Sequence, residues 1–316
     1  MKNIACFDVG GTFIKYAVIN SQGDILTKNK FPSPVNDCKN AVPECIIIKT
    51  KELMKDYLLQ GIGISTAGVV DNIKGEIITA TDNLPGYAGA KLSEVIYKEL
   101  GIKTFVENDV NAAALGEMWK GAAVNKDTFV CMTLGTGVGG AIVINNKLYK
   151  GVNNGAGELG HMILNEKGQS CNCGCIGCYE RYASTSAFIR MYLENSHNEG
   201  IEIPTITGEE IMLRVKSGET LACRIYDEFM DHIANGLASI AHILDPGLIV
   251  IGGGISAQGE DFFLELNKRF KSSAMASYAE NTMIVPAKLQ NDAGLLGACY
   301  ITLKALKIYE DIPLPV

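Results

Sequence analysis

Apolar residues in this chain come in short runs closed by glycine turns. Residues 4–19 read as an apolar run, the turn Asp8-Val-Gly10-Gly11-Thr12, and a second apolar run. Two strands joined by a glycine turn fit that pattern. The pattern returns at residues 129–144, around Thr133-Leu-Gly135-Thr136-Gly137-Val-Gly139-Gly140. Cys6 and Cys131 fall at matching places, as do Gly10 and Gly135, which predicts a duplicated α/β unit. The chain after each turn reads as strand, not helix, so neither turn is a dinucleotide fingerprint. No Gly-Lys-Ser/Thr follows, so neither is a Walker loop. Elsewhere the periodicity predicts helices over 39–60, 92–100 (stopped by Gly101), 183–195, 208–216 and 221–244, and another containing 267–273. A last helix opens at 291–294 and runs to about Tyr309. Residues 61–64, 105–106, 248–255 and 283–287 read as strands.

Composition narrows the class. The chain has 316 residues, 47% of them hydrophobic and 20% charged, enough for one large or two medium domains with a full core. Its net charge of -7, with no basic cluster, argues against nucleic acid as a partner. Met1-Lys2-Asn3 runs straight into a strand-like segment, and no apolar run approaches the ~20 residues of a membrane helix. A cytoplasmic protein is expected, with no membrane partner. Six of the ten cysteines (Cys6, Cys38, Cys45, Cys131, Cys223 and Cys299) are scattered and read as reduced buried thiols.

The other four cysteines are the strongest chemical signal. Glu158-Leu-Gly-His161 is followed by Cys171-Asn-Cys173-Gly-Cys175-Ile-Gly-Cys178-Tyr-Glu180. Thiolates with an imidazole upstream suit a closed tetrahedral zinc site. Cys175 adds a fourth thiol inside the loop, so the spacing leaves open which thiols bind. Buried thiols or a disulfide are the plain alternatives. Glu158 and Glu180 bracket the segment and are not needed to fill the zinc shell, which leaves them to receive polar groups of a ligand. The two glycine turns can bring backbone N–H groups to an anion, with Thr12 adding a hydroxyl, and can clamp a polyphosphate from both sides. Asp8, beside the first turn, is placed to hold Mg²⁺. Gly252-Gly253-Gly254 can lie against a flat ring or a ribose, or can simply make a tight turn. Asp109, in Glu107-Asn108-Asp109-Val-Asn111, falls where a short strand ends and a helix begins. That is a usual place for a reacting group, and also for a helix N-cap. A helix N-terminus would lower the Asp109 pKa and keep it charged.

Taken together these segments resemble the ROK family (repressor, open reading frame, kinase) of sugar kinases, over essentially the whole chain. The blocks Asp8–Thr12, Glu107–Asn111, Leu134–Gly140, Gly157–His161 and Cys171–Glu180 carry the resemblance. It implies an α/β, two-domain, actin-like ATPase fold, a ribonuclease H-like unit duplicated around an inter-domain cleft. It implies an ATP-dependent hexose kinase with Asp109 as the base, using ATP, Mg²⁺ and Zn²⁺. Sugar contacts would be Asn108, Asp109, Glu158, His161 and Glu180, with Gly68 and Asn83 nearby. Zinc would be held by His161, Cys171, Cys173 and Cys178. The nucleotide would meet Asp8, Gly10, Gly11, Thr12, Gly135, Thr136, Gly137, Gly139, Gly253 and Gly254. The expected domains are 1–117 with 300–316, and 118–299, and a homodimer or homotetramer is expected. Some segments resemble N-acetylmannosamine kinases and others glucokinases. A sugar-responsive repressor or a non-catalytic sugar-binding protein are the competing classes. Only three residues precede the first strand, which speaks against a helix-turn-helix arm and so against the repressor.

Overall fold

The computed structural model describes residues 2–80 and 83–308, except the Ser256 side chain. The chain runs β1 (Asn3–Val9), β2 (Phe13–Asn20), β3 (Ile25–Pro32), α1 (Cys38–Leu53), β4 (Leu59–Thr66), β5 (Val69–Asp71), β6 (Glu76–Thr79), α2 (Leu92–Leu100), β7 (Thr104–Asn108) and α3 (Asp109–Lys120). It continues with β8 (Phe129–Leu134), β9 (Val138–Ile144), β10 (Lys147–Leu148), α4 (Glu180–Ala183), α5 (Thr185–Asn198), α6 (Gly208–Lys216) and α7 (Thr220–Leu244). It closes with β11 (Leu248–Gly252), α8 (Glu260–Ser273), α9 (Ala276–Asn281), β12 (Met283–Pro286) and α10 (Ala293–Ala305).

These elements form two compact units. One comprises Met1–Asp127, Ile142–Ala156 and Lys288–Val316; the other Thr128–Ala141 and Gly157–Ala287. The first thus extends past the expected 1–117, to Asp127, and takes in all of α10. Its sheet has the order β3-β2-β1-β4-β7. β1 pairs antiparallel with β2 and parallel with β4, and β4 pairs parallel with β7. Alternate residues of β1 feed opposite faces, as a period of two requires. Ala5, Phe7 and Val9 join α1 and α2 through Val42, Ile46, Leu92 and Ile96. Ile4 and Cys6 join α10 through Leu295, Cys299 and Leu303. With both faces covered, each fully buried large side chain such as Phe7 contributes about 1.5–3 kcal/mol.

The second unit repeats the strand arrangement. Its sheet follows β9-β8-β11-β12, with β11 parallel to both β8 and β12. Counterpart strands thus run 2-1-4-7 in one unit and 9-8-11-12 in the other, the duplication that the two glycine turns predict. The central helix α7 buries Ile225, Phe229, Ile233, Leu237 and Ile240, spaced at three and four residues along one face.

Several boundaries differ from the periodicity. The helix expected over 39–60 stops at Leu53, because Leu59 onward pairs with β1. β11 ends at Gly252, where Gly253 turns at φ 84° into a short 3₁₀ segment. The helix around 267–273 begins earlier, at Glu260. α10 ends at Ala305; Tyr309 lies outside the described residues. Among the scattered cysteines, Cys45 and Cys223 are only partly buried, because both lie toward the outer side of their helices; all ten are free thiols. No helix among the described residues is long and apolar enough to cross a membrane.

Candidate active site

In the first unit Asp109 stands at the β7–α3 junction. Asn108 is the N-cap: its side-chain oxygen accepts the N–H groups of Val110 (3.0 Å) and Asn111 (3.1 Å). Capping therefore belongs to Asn108, and Asp109 is the first helical residue. The Asn108 amide donates to Asp109 Oδ1 at 2.9 Å and to the Gly68 carbonyl at 3.0 Å. Gly68 sits at φ 100°, and a Cβ there would meet the Thr79 carbonyl oxygen at 2.3 Å. The structure thus brings Gly68, Asn108 and Asp109 together, while Asn83 packs beside Gly11, whose added Cβ would lie 2.7 Å from the Asn83 Cβ.

The expected lowering of the Asp109 pKa is overturned. Burial, then the negative charge of Asp8, push it up to about 6. Hydrogen bonds from Val110 N–H and Asn108 oppose the shift without cancelling it. Desolvation outweighs the helix terminus because a buried carboxylate loses its water before it gains a partial dipole charge. Asp8 itself accepts Ser65 Oγ at 2.8 Å and faces Lys15 Nζ at 3.2 Å. The turn beyond it is closed by Gly10 N–H on the Phe13 carbonyl, 3.2 Å, with Gly11 and Thr12 exposed. Sequence reading missed Lys15, Ser65 and also Lys150, which pairs with Glu107. None belongs to a recognisable motif.

In the second unit the cysteine loop folds back on His161. One donor atom each from His161, Cys171, Cys173 and Cys178 lies within 4.8 Å of the others. Cys171 Sγ is 3.8 Å from His161 Nδ1, and Cys173 Sγ is 3.5 Å from Cys178 Sγ. Tetrahedral zinc with bonds of about 2.3 Å to sulfur holds its donors roughly 3.8 Å apart, so the set fits the ion. Cys175 is outside this set; its N–H and the Cys178 side chain pull the Cys173 thiol down to about 7. Burial pushes Cys178 up to about 12. The other nitrogen of His161, Nε2, faces Glu158 at 3.8 Å. Glu180 accepts from the Cys171 thiol at 3.3 Å and from Val138 N–H at 3.4 Å. Its neighbour Tyr179 is clamped beneath it: the hydroxyl donates to the Ile233 carbonyl at 2.9 Å, and the ring occupies the space over Gly236.

The second glycine turn lies against the same acid. Gly135 N–H donates to the Gly137 carbonyl at 3.0 Å, and Thr185 N–H to the Gly135 carbonyl at 2.7 Å. Thr136 is exposed at the tip and Gly139 lies within β9. A Cβ on Gly137 would sit 2.7 Å from Glu180 Oε2. A cavity opens next to Gly254, lined by Phe188, Met212, Tyr226 and Phe262 together with Thr185, Glu209 and Gln258. Its empty space, counted together with the solvent at its mouth, is about 500 Å³. Sequence reading found only its glycine end.

Compared with known proteins, residues 4–305 match the ROK family. The chain belongs to the ROK family. It is 33% identical to a glucokinase of Thermotoga maritima, over 93% of this chain and 95% of the relative. It is 32% identical to an N-acetyl-D-glucosamine kinase of Photobacterium profundum, over 94% of this chain and 98% of the relative. A ROK family glucokinase from Streptomyces griseus, solved with glucose and AMPPNP, superposes with a TM-score of 0.81 at 29% identity, covering 96% and 99% of the two chains. The repeated strand order and the match to this ROK structure make the fold actin-like, with the ribonuclease H-like unit present twice.

Proposed function

We propose that this ROK protein is an ATP-dependent hexose kinase that phosphorylates the 6-hydroxyl of its sugar, with glucose as the preferred substrate. The observation that carries this reading is Asp109, a carboxylate fixed by Asn108 at a helix start with its pKa lifted to about 6. A base near neutrality takes a proton effectively at the moment of transfer. The sugar oxygen attacks the γ-phosphorus, the bond to the β-phosphate oxygen breaks to release ADP, and the hydroxyl proton passes to Asp109. Asn108, Glu158, His161 and Glu180 bind sugar hydroxyls, a set of donors and acceptors that rejects apolar ligands.

The two glycine turns, Gly10–Thr12 and Gly135–Gly139, receive phosphates through backbone N–H groups. Asp8 holds Mg²⁺, which neutralises charge on the β- and γ-phosphates when bound. The nucleotide's ribose lies at Gly253 and Gly254 and its base in the cavity with Phe188 and Met212, whose apolar walls suit a purine ring. His161, Cys171, Cys173 and Cys178 hold zinc, which fixes the loop that carries Glu158 and Glu180. The support is the donor geometry, the cavity beside Gly254 and the resemblance to kinases across the chain's length.

Sugar-dependent ADP release over glucose, mannose, fructose, N-acetylglucosamine and N-acetylmannosamine tests the proposal. Glucose should give the highest kcat/KM. Release with no sugar in the panel would overturn the kinase reading, and a higher value for N-acetylmannosamine would move the substrate.

A further inference from the structure

Glu107 is an acid almost closed off from water, one residue before the base-bearing junction. Its side chain is 5% exposed. Oε1 accepts the N–H of Asn108 at 3.2 Å and the side-chain amide of Asn111 at 3.0 Å. Oε2 pairs with Lys150 Nζ, from a residue 43 positions further along the chain. A carboxylate so enclosed stays charged only if something pairs with it. Lys150 is anchored in turn: its carbonyl accepts the Ala156 N–H at 3.0 Å, closing the loop 150–156. Through Glu107 the ion pair reaches Asn108 and Asn111, the residue before Asp109 and one in the first turn after it. The Asn108 side-chain amide in turn donates to Asp109 Oδ1.

We infer that Lys150 is a positioning residue for the reaction: by neutralising Glu107 it holds Asn108, and through Asn108 the Asp109 carboxylate. The inference rests on Asp109 as the base. Without the ammonium, Glu107 must draw in water or take a proton, and either change loosens its grip on both asparagines. Lys150 touches no reacting atom in this scheme, so ATP binding should survive its loss while turnover suffers; sugar binding weakens only as far as Asn108 shifts.

The test compares the parent with Lys150→Met, Lys150→Gln, Lys150→Arg, Asp109→Asn, and Lys150→Met combined with Asp109→Asn, using the best sugar of the panel. Lys150→Met should lower kcat about tenfold or more with the KM for ATP within about threefold and a smaller rise in the KM for sugar than the fall in kcat. Lys150→Gln, which keeps a donor and loses the charge, should lose less of kcat with the same KM pattern; it carries the test if Lys150→Met does not fold. Lys150→Arg should stay within about threefold of the parent, because a guanidinium can reach the same carboxylate. In the Asp109→Asn background Lys150→Met should cost nothing more in kcat, since residues acting through one another are not additive. An active parent with unchanged kcat in both charge-removing variants overturns this inference alone. So does a loss confined to KM, or a full additional loss in the combined variant. A parent inert toward every sugar overturns the kinase reading and this inference with it.

Discussion

Asp109→Asn separates the charge of the proposed base from its shape. Burial and Asp8 lift the carboxyl from 3.8 to about 6. A rise of roughly two units means the folded chain disfavours the charged form by about 3 kcal/mol. The folded chain holds the Asp109 proton more tightly than the unfolded one. The stability this group contributes is therefore complete below the unfolded value of 3.8 and lost as pH rises through about 6. At about pH 8 the parent carries the whole cost of the charge, and the amide variant carries none. The helix start is untouched, because Asn108 is the cap. The variant should be more stable than the parent by about 1–3 kcal/mol at about pH 8, the lower end allowing for the water that still reaches a half-buried side chain. The gap should close toward about pH 4, and urea unfolding at both pH values measures it. In the same variant kcat should fall about 10²-fold or more with both KM values nearly kept. The parent's own kcat should fall as pH drops through about 6 and the base is protonated. A variant less stable than the parent in alkali, or a gap that widens toward acid, would refute the burial-and-Asp8 account. Turnover within about threefold of the parent would refute the base itself.

Two further outcomes test the second unit. Cys173→Ser should lose about one zinc per chain and weaken sugar binding, whereas Cys175→Ser should keep its zinc, since Cys175 lies outside the donor set. Metal analysis of protein purified without chelator checks both, and zinc lost from Cys175→Ser would show the ligand set to be wrong. Gly137→Ala puts a methyl 2.7 Å from Glu180 Oε2, so the turn or the acid must move. KM should rise for both ATP and sugar, about tenfold if one good contact to each is lost; a rise for ATP alone would mean that turn and acid are not coupled.

Much of this molecule was legible along the chain. Strand-turn-strand segments at 4–19 and 129–144 are encoded by neighbours in sequence, as are Gly101 ending α2 and the capping box that starts α6. His161, Cys171, Cys173 and Cys178, whose donor atoms the fold gathers, lie in one short stretch of sequence, although its spacing left Cys175 open as a donor. What the sequence could not supply depends on atoms distant in the chain. The helix expected to reach residue 60 gives way at 53 because β4 is claimed by β1, more than fifty positions earlier. Lys150 meets Glu107, and the cavity beside Gly254 is assembled from α5, α6, α7 and α8. The charge state of Asp109 is the clearest case. Local reasoning places it at a helix start and lowers its pKa, but tertiary packing strips away much of its water and sets Asp8 nearby, which raises it. A turn is decided by the dihedral preferences of a few adjacent residues, whereas a pKa is decided by desolvation and by whichever charges the fold brings close.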